Sequence, residues 1–336
     1  MASSQAEKPD LARRAARVLL NGNMLFRAGL PSLAAAFAVL SCASLPDKPI
    51  AATIELQGHR GARGLAPENT WPAFEQAIRH GMNVLELDTV ITADGDLVIH
   101  HDTETNPALC RTADGQPGKK VAISTLTVAE LKTFDCGSDR HEKFPEQQPV
   151  PGTRLITLDE FFANIRAFEI KDAHVKTIAF NIEAKFPQGQ PTDAGLKRFA
   201  DLLVGKIRRA GMAKRSTVQS FVPEVLPFAR ALDKDIRTSA LFEPTKWQGL
   251  KMYLGLGGGV RADILARAEA VKADIISPYK LYVTGDFLRE AHAKKMLVIP
   301  WTVNESAEMQ QLLQLGVDGI ISDYPDRLGK VRKLTP

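Results

Sequence analysis

Two stretches decide how this chain folds: VLELDTVIT, residues 84–92, and TIAFNIEAK, residues 177–185. Side chains alternate between the two faces of a strand. In the first stretch Glu86 and Asp88 therefore share a face with Val84, while Leu85 and Leu87 take the other. In the second, Asn181, Glu183 and Lys185 share a face opposite Phe180, Ile182 and Ala184. The apolar faces suit packing beneath helices, so the charged faces must point into the interior of a closed sheet. Buried charges at this density are costly unless they are paired or bind a cation.

The rest of the chain repeats the pattern. Strands are expected near residues 55, 86, 181, 218, 239, 276, 299 and 321, with the last two long ones drawn over 296–304 and 319–325. Helices are expected between them over 67–81, 157–168, 193–210, 223–233, 284–295 and 306–316. Eight β/α units over about 280 residues read as an α/β fold of the TIM (β/α)8 type. No GxGxxG follows the first strand to favour a doubly wound sheet instead. Residues 103–153 are irregular, rich in Gly, Pro, Thr and charge, and read as an insertion after the second strand. The barrel is expected over 53–330.

The N-terminus reads as an address. Lys8, Arg13, Arg14, Arg17 and Arg27 face only Glu7 and Asp10, and a 13-residue apolar run from Ala28 to Leu40 follows. That run is too short to span a bilayer and has the length of a signal-peptide core. The following VLSCAS resembles a bacterial lipoprotein cleavage box that would leave Cys42 as a lipidated N-terminus, although Leu40 is large for its position. Cleavage near Ala43 is the alternative. Met24 opens a compact signal peptide by itself and is a candidate start. We therefore read 1–42 as a signal peptide, 43–52 as a tether, and the mature protein as exported to the periplasm or anchored to a membrane facing it. The whole chain carries a formal charge of +4, of which +3 lies in residues 1–41. The near-neutral remainder gives no support to nucleic-acid binding. Beyond Cys42 only Cys110 and Cys136 remain, a pair that an oxidising compartment could join. No amphipathic apolar helix suited to entering a bilayer is evident.

Active sites of such barrels lie where strands run into the following loops. His59 and Arg60 end the first strand, in the stretch QGHRGARGLAPENTW (57–71), where Pro67 is expected to open the next helix. Glu86, Asp88 and Glu183 are hard oxygen donors that suit Mg²⁺ or Ca²⁺. His101 and its neighbour His100 end the segment DLVIHHD (96–102) on opposite faces. Two histidines beside a carboxylate cluster can supply a base and an acid near neutral pH. Arg60 and Lys185 have the geometry to hold a phosphate, and no P-loop is present. Phe221 and Trp301 stand at other strand ends and are candidates for lining a headgroup pocket.

Taken together, HRG with PENT, ELDT, TADGDLVIHHD, TLTVAELK, TLDE, NIEAK and DGIISDYPD resemble the glycerophosphodiester phosphodiesterase family over residues 54–328. The resemblance implies a TIM barrel that hydrolyses glycerophosphodiesters to sn-glycerol 3-phosphate and an alcohol. It implies that His59 and His101 are the catalytic histidines, and it selects His101 over His100. It makes Arg60 and Lys185 phosphate contacts, and Glu86, Asp88 and Glu183 the ligands of one divalent cation, usually Ca²⁺ or Mg²⁺. Glu68 is expected to support the His-Arg turn, and 103–153 to correspond to the family's inserted subdomain. The nucleophile is water or the glycerol 2-hydroxyl. The rival readings are a phospholipase C- or D-like hydrolase of intact lipids and a surface binding lipoprotein on the same barrel.

Overall fold

A computed structural model describes residues 53–334 apart from 188 and 190. The signal-peptide, Cys42 and tether readings fall outside the described residues. Eight parallel strands form the barrel: β1 (Glu55–Gly58), β2 (Val84–Ile91), β4 (Ala179–Ala184), β5 (Ser216–Ser220), β6 (Arg237–Phe242), β7 (Ile275–Pro278), β8 (Leu297–Val298) and β9 (Gly319–Ser322). Their order is β8-β7-β6-β5-β4-β2-β1-β9. The gap between the two ends is bridged by backbone bonds from Asp318 N to Val298 O, Ile321 N to Pro300 O and Val303 N to Ile321 O, each 3.0 Å. The barrel is thus nearly closed, with helices between successive strands, as the alternation of apolar and charged faces requires.

The outward faces make the main apolar core. Leu85, Leu87, Phe180 and Ile182 are buried beneath Phe161, Phe162 and Phe199 of the surrounding helices. Phe180 meets Phe161 and Phe162 edge-on at 5.5 and 5.6 Å. The inward faces are unusually polar on one side. Arg237 pairs with Glu55 at 2.6 Å, and Gln57 donates to Glu55 at 2.8 Å. Asn181 then donates to both Gln57 (2.8 Å) and Gln219 (2.9 Å), and Gln219 donates to Glu86 at 2.8 Å. This column links the barrel floor to the carboxylates above it. Ile275, Ile299 and Ile321 fill the opposite side.

Some expected elements differ. The strand expected over 296–304 shrinks to Leu297–Val298, because Pro300 has no N–H to continue a ladder. The helix expected from Pro67 starts at Trp71, because Asn69 sits at φ +57° and residues 67–70 form a turn. The glycine-rich connection after β6 contains two helices, Lys246–Tyr253 and Gly258–Ala270. A capping box between Thr245 and Gln248 starts the first, a local signal within KWQGLKMY that reads poorly by apolar periodicity. The extended segment DLVIHHD contributes a short strand, β3 (Leu97–Ile99), antiparallel to the end of β2. No described helix is long and apolar enough to cross a membrane.

Residues 103–153 follow β3 as a mostly irregular segment with a satellite core of its own. Cys110, Ile123, Leu131, Cys136 and Leu155 pack against Val90 and Val98. Cys110 and Cys136 are joined in a disulfide. The segment is tied to the loop after β1: Gln147 donates to Arg63 O (2.7 Å) and Ala66 O (3.1 Å), and Gln148 N donates to Leu65 O (2.9 Å).

Candidate active site

The loop after β1 is shaped by backbone constraints. Arg60 has φ +50° and Gly61 φ +80°. A Cβ on Gly61 would lie 2.7 Å from the Ala73 carbonyl carbon, so only glycine lets the loop pass this close to the following helix. A Cβ on Gly64 would strike the Tyr324 ring at 2.6 Å. The left-handed residue at Arg60 turns its amide toward β2, where it donates to Glu86 Oε2 at 2.7 Å. The same turn sends the guanidinium to Glu68, at 2.7 Å from Oε1, with Nε 3.5 Å from Asp88. Glu68 also takes Arg63 at 2.7 Å. It braces the two arginines, as expected, and lies outside the carboxylate cluster.

Parallel register sets Asp88 opposite Glu183 and Glu86 opposite Asn181. Glu86, Asp88 and Glu183 are all buried, and one ligand oxygen from each lies within 4.8 Å of the others. At an effective dielectric near 20, each pair of charges at that separation repels by on the order of 3 kcal/mol. The effects on ionisation follow. Burial, then the Asp88 and Glu183 charges, drive the Glu86 carboxyl well above the usual range. Burial, with the Asp88 charge, pushes Glu183 up to about 7 against the pull of Lys185. Burial also disfavours the Asp88 anion, but Lys185, His101 and Arg60 overcome this and hold it well below its usual value.

Lys185 Nζ lies 2.7 Å from Glu183 and 3.1 Å from Asp88. Asn69 donates to Asp88 Oδ2 at 2.8 Å, while Oδ1 faces Lys185 Nζ. Three buried hard donors crowded together, two of them resisting ionisation without a cation between them, fit a divalent cation. Glu86, Asp88 and Glu183 would hold it.

Both expected histidines line one cleft, shared with Arg60, Lys185, Glu86 and Glu183. Phe221 and Trp301 form its apolar wall, their rings edge-to-face at 5.3 Å. His100 turns away, toward a small cavity under the disulfide. Two further residues escaped the sequence reading. Asp323, just past β9, binds His59 Nδ1 at 2.6 Å, and Asn304 binds Asp323 through its Nδ2 (2.8 Å) and by accepting from Asp323 N (3.0 Å). Burial opposes ionisation of Asp323, but His59 and Arg63 hold its carboxyl down to about 2. Burial also pushes the His59 imidazole below its usual value, with Asp323 pulling the other way. His101 is lowered by burial too, and its Nδ1 meets Asp102 Oδ1 at 2.7 Å. Asp323 lies in the quoted DGIISDYPD, at a strand end where a polar residue signals a site. Gln219 was legible by alternation, and Asn69 stands within PENT.

Glu68 yields a pH test. Burial opposes its ionisation, but Arg60 and Arg63 win and hold the carboxyl at about 2 from a usual 4.5. A depressed folded value stabilises the fold fully above the unfolded value and loses that effect as pH falls toward the folded one. Glu68→Gln should lower unfolding free energy by up to about 3 kcal/mol at pH 7. Denaturant titrations should show that deficit shrinking between about pH 5 and pH 2. A deficit independent of pH would contradict the ionised bridge.

Comparison with known proteins agrees with this geometry. The model of the glycerophosphoryl diester phosphodiesterase family matches residues 59–327. A Bacillus subtilis glycerophosphodiester phosphodiesterase is 30% identical over 283 residues, covering 82% of this chain and 85% of the relative. A solved structure from Silicibacter pomeroyi superposes with TM-score 0.73 at 27% identity, covering 83% of this chain and 92% of its own. An Oleispira antarctica phosphodiesterase, solved with its product sn-glycerol-3-phosphate, shares the fold with TM-score 0.62 at 22% identity, covering 83% and 96%. This chain is a member of the glycerophosphoryl diester phosphodiesterase family.

Proposed function

We propose that this protein hydrolyses glycerophosphodiesters, the deacylated phospholipids such as glycerophosphocholine and glycerophosphoethanolamine, to sn-glycerol 3-phosphate and an alcohol. The observation that carries this reading is the convergence of His59, His101, Arg60, Lys185 and three buried carboxylates on one cleft. That set matches a phosphodiester, whose negative charge Arg60 and Lys185 meet and whose cleavage needs one proton taken from the attacking hydroxyl and one given to the departing alkoxide.

The residues divide the work as follows. Arg60 and Lys185 bind the nonbridging phosphate oxygens. With Nδ1 of His59 held by Asp323 and Nδ1 of His101 by Asp102, the Nε2 atoms are left to face substrate. One Nε2 accepts the proton of the attacking hydroxyl, from water or from the glycerol 2-position, the latter closing a cyclic phosphate that water then opens to sn-glycerol 3-phosphate. The other donates a proton to the departing alkoxide. Asp323 stabilises the imidazolium that forms on His59 and fixes its ring, and Asn304 fixes Asp323 in turn. Phe221 and Trp301 cover the less polar portion of the substrate. A divalent cation held by Glu86, Asp88 and Glu183, either Ca²⁺ or Mg²⁺, would supply charge neutralisation at phosphate and a lowered hydroxyl pKa.

The N-terminal features support export, with Cys42 as a lipid anchor, and the Cys110–Cys136 bond suits an oxidising compartment. Intact mass of the mature protein should show an acylated N-terminus at Cys42. An unmodified chain starting at residue 1, 24 or 43 would refute the anchor.

His59→Ala and His101→Ala should each lower glycerophosphocholine turnover by at least about 10²-fold. Asp323→Asn should lower kcat by at least about tenfold, chiefly without raising KM, because the carboxylate acts through His59. Near-full activity in either histidine variant refutes the proton-transfer assignment.

A further inference from the structure

Among the described residues, most of the exposed large apolar side chains gather after β6 and β7. The helix Lys246–Tyr253 follows β6, so it stands at the end of the barrel where the cleft opens. Trp247, Leu250 and Leu254 are spaced by three and four residues and lie along one stripe. That stripe faces outward: Trp247 is 67%, Leu250 43% and Leu254 60% exposed, with Tyr253 at 87%. Met252 is the buried anchor of this helix. Glycines at 249, 255 and 257–259 mask this short helix in the sequence. Leu281, also exposed, lies in the turn Lys280–Tyr282 after β7, against which the helix packs. Single exposed apolar residues need no explanation, but a group of them does.

The patch continues the wall of the cleft. Lys280 N donates to Trp301 O at 3.0 Å, and the Tyr279 ring meets Trp301 edge-on at 5.6 Å. Trp301 in turn meets Phe221 inside the cleft. The turn Lys280–Tyr282 that carries Leu281 therefore adjoins the wall of the cleft. The chemistry of the patch indicates the occupant. Trp and Tyr join an apolar body to a polar tip and favour the boundary between hydrocarbon and water. Lys246 and Lys251 are exposed on the same helix, where they can meet anionic headgroups.

We propose that this patch docks the mouth of the barrel onto an anionic phospholipid surface. The inference rests on the reading that the site takes diesters derived from phospholipids. Docking holds the cleft at the surface from which deacylation releases such diesters, while diesters in bulk solution enter it without docking. The helix lies outside the catalytic set, so its loss should spare soluble substrates.

The test uses the full chain with vesicles of brominated phosphatidylglycerol and phosphatidylcholine, which quench tryptophans that reach the acyl region. Quenching reports the patch locally, independently of any hold by the N-terminal apolar run. Vesicles should quench the wild type, and Trp247→Phe should remove most of that quenching. Leu250→Glu with Tyr253→Glu should weaken it by roughly tenfold or more in lipid concentration. Both variants should hydrolyse glycerophosphocholine within about twofold of wild type, which also shows that they fold. Quenching that persists in Trp247→Phe, or is unaffected by the paired glutamates, overturns the proposal. So does a concentration-dependent dimer that the glutamates abolish, which would give the patch to a second copy. Failure of the wild type to hydrolyse glycerophosphocholine would instead strike the catalytic reading and leave the docking result standing.

Discussion

Three carboxylates forced together inside a barrel are the constraint around which this protein is arranged. Alternation along β2 places Glu86 and Asp88 inward, and the parallel register with β4 sets Glu183 beside Asp88. Nothing in the packing of the helices asks for this. Their apolar faces are satisfied by Leu85, Leu87, Phe180 and Ile182 on the outer side. The cluster stays in the structure because its members are held from outside: Glu86 by the amide of Arg60 and by Gln219, Asp88 by Asn69 and Lys185, and Glu183 by Lys185.

Those supports explain features that look unrelated in the chain. The left-handed backbone at Arg60 aims an amide at Glu86, and the left-handed Asn69 accompanies a side chain that reaches Asp88. Gln57, Asn181 and Gln219 fill one side of the barrel interior with hydrogen bonds where branched apolar residues usually pack. The insertion grips the loop after β1 through Gln147 and Gln148, and its Phe144 ring lies under Arg63 at 4.7 Å. Scaffold and insertion both brace the strand end that carries His59.

The sequence displayed the barrel and the carboxylates clearly, because alternation needs only adjacent residues to be read. Glu86, Asp88, Glu183 and Lys185 were visible as a polar face opposite an apolar one. What escaped depended on distant parts of the chain. Asp323 lies 264 positions from His59, and only closure of the barrel brings them to 2.6 Å. Pro67 suggested a helix start, but Glu68 and Asn69 are committed to Arg60 and Asp88, so the helix waits until Trp71. The outward apolar helix after β6 was hidden for a different reason. It is eight residues long and lies among glycines at 249, 255 and 257–259, which break the apolar pattern.

A cation at the cluster connects its electrostatics to the chemistry, so metal dependence is the most direct test. Release of sn-glycerol 3-phosphate from glycerophosphocholine should be measured in chelator-stripped protein, before and after adding Ca²⁺ or Mg²⁺. The account predicts that stripping abolishes turnover and that at least one of the two ions restores it, with no restoration in Glu183→Gln. Full turnover by the stripped wild-type protein would contradict it.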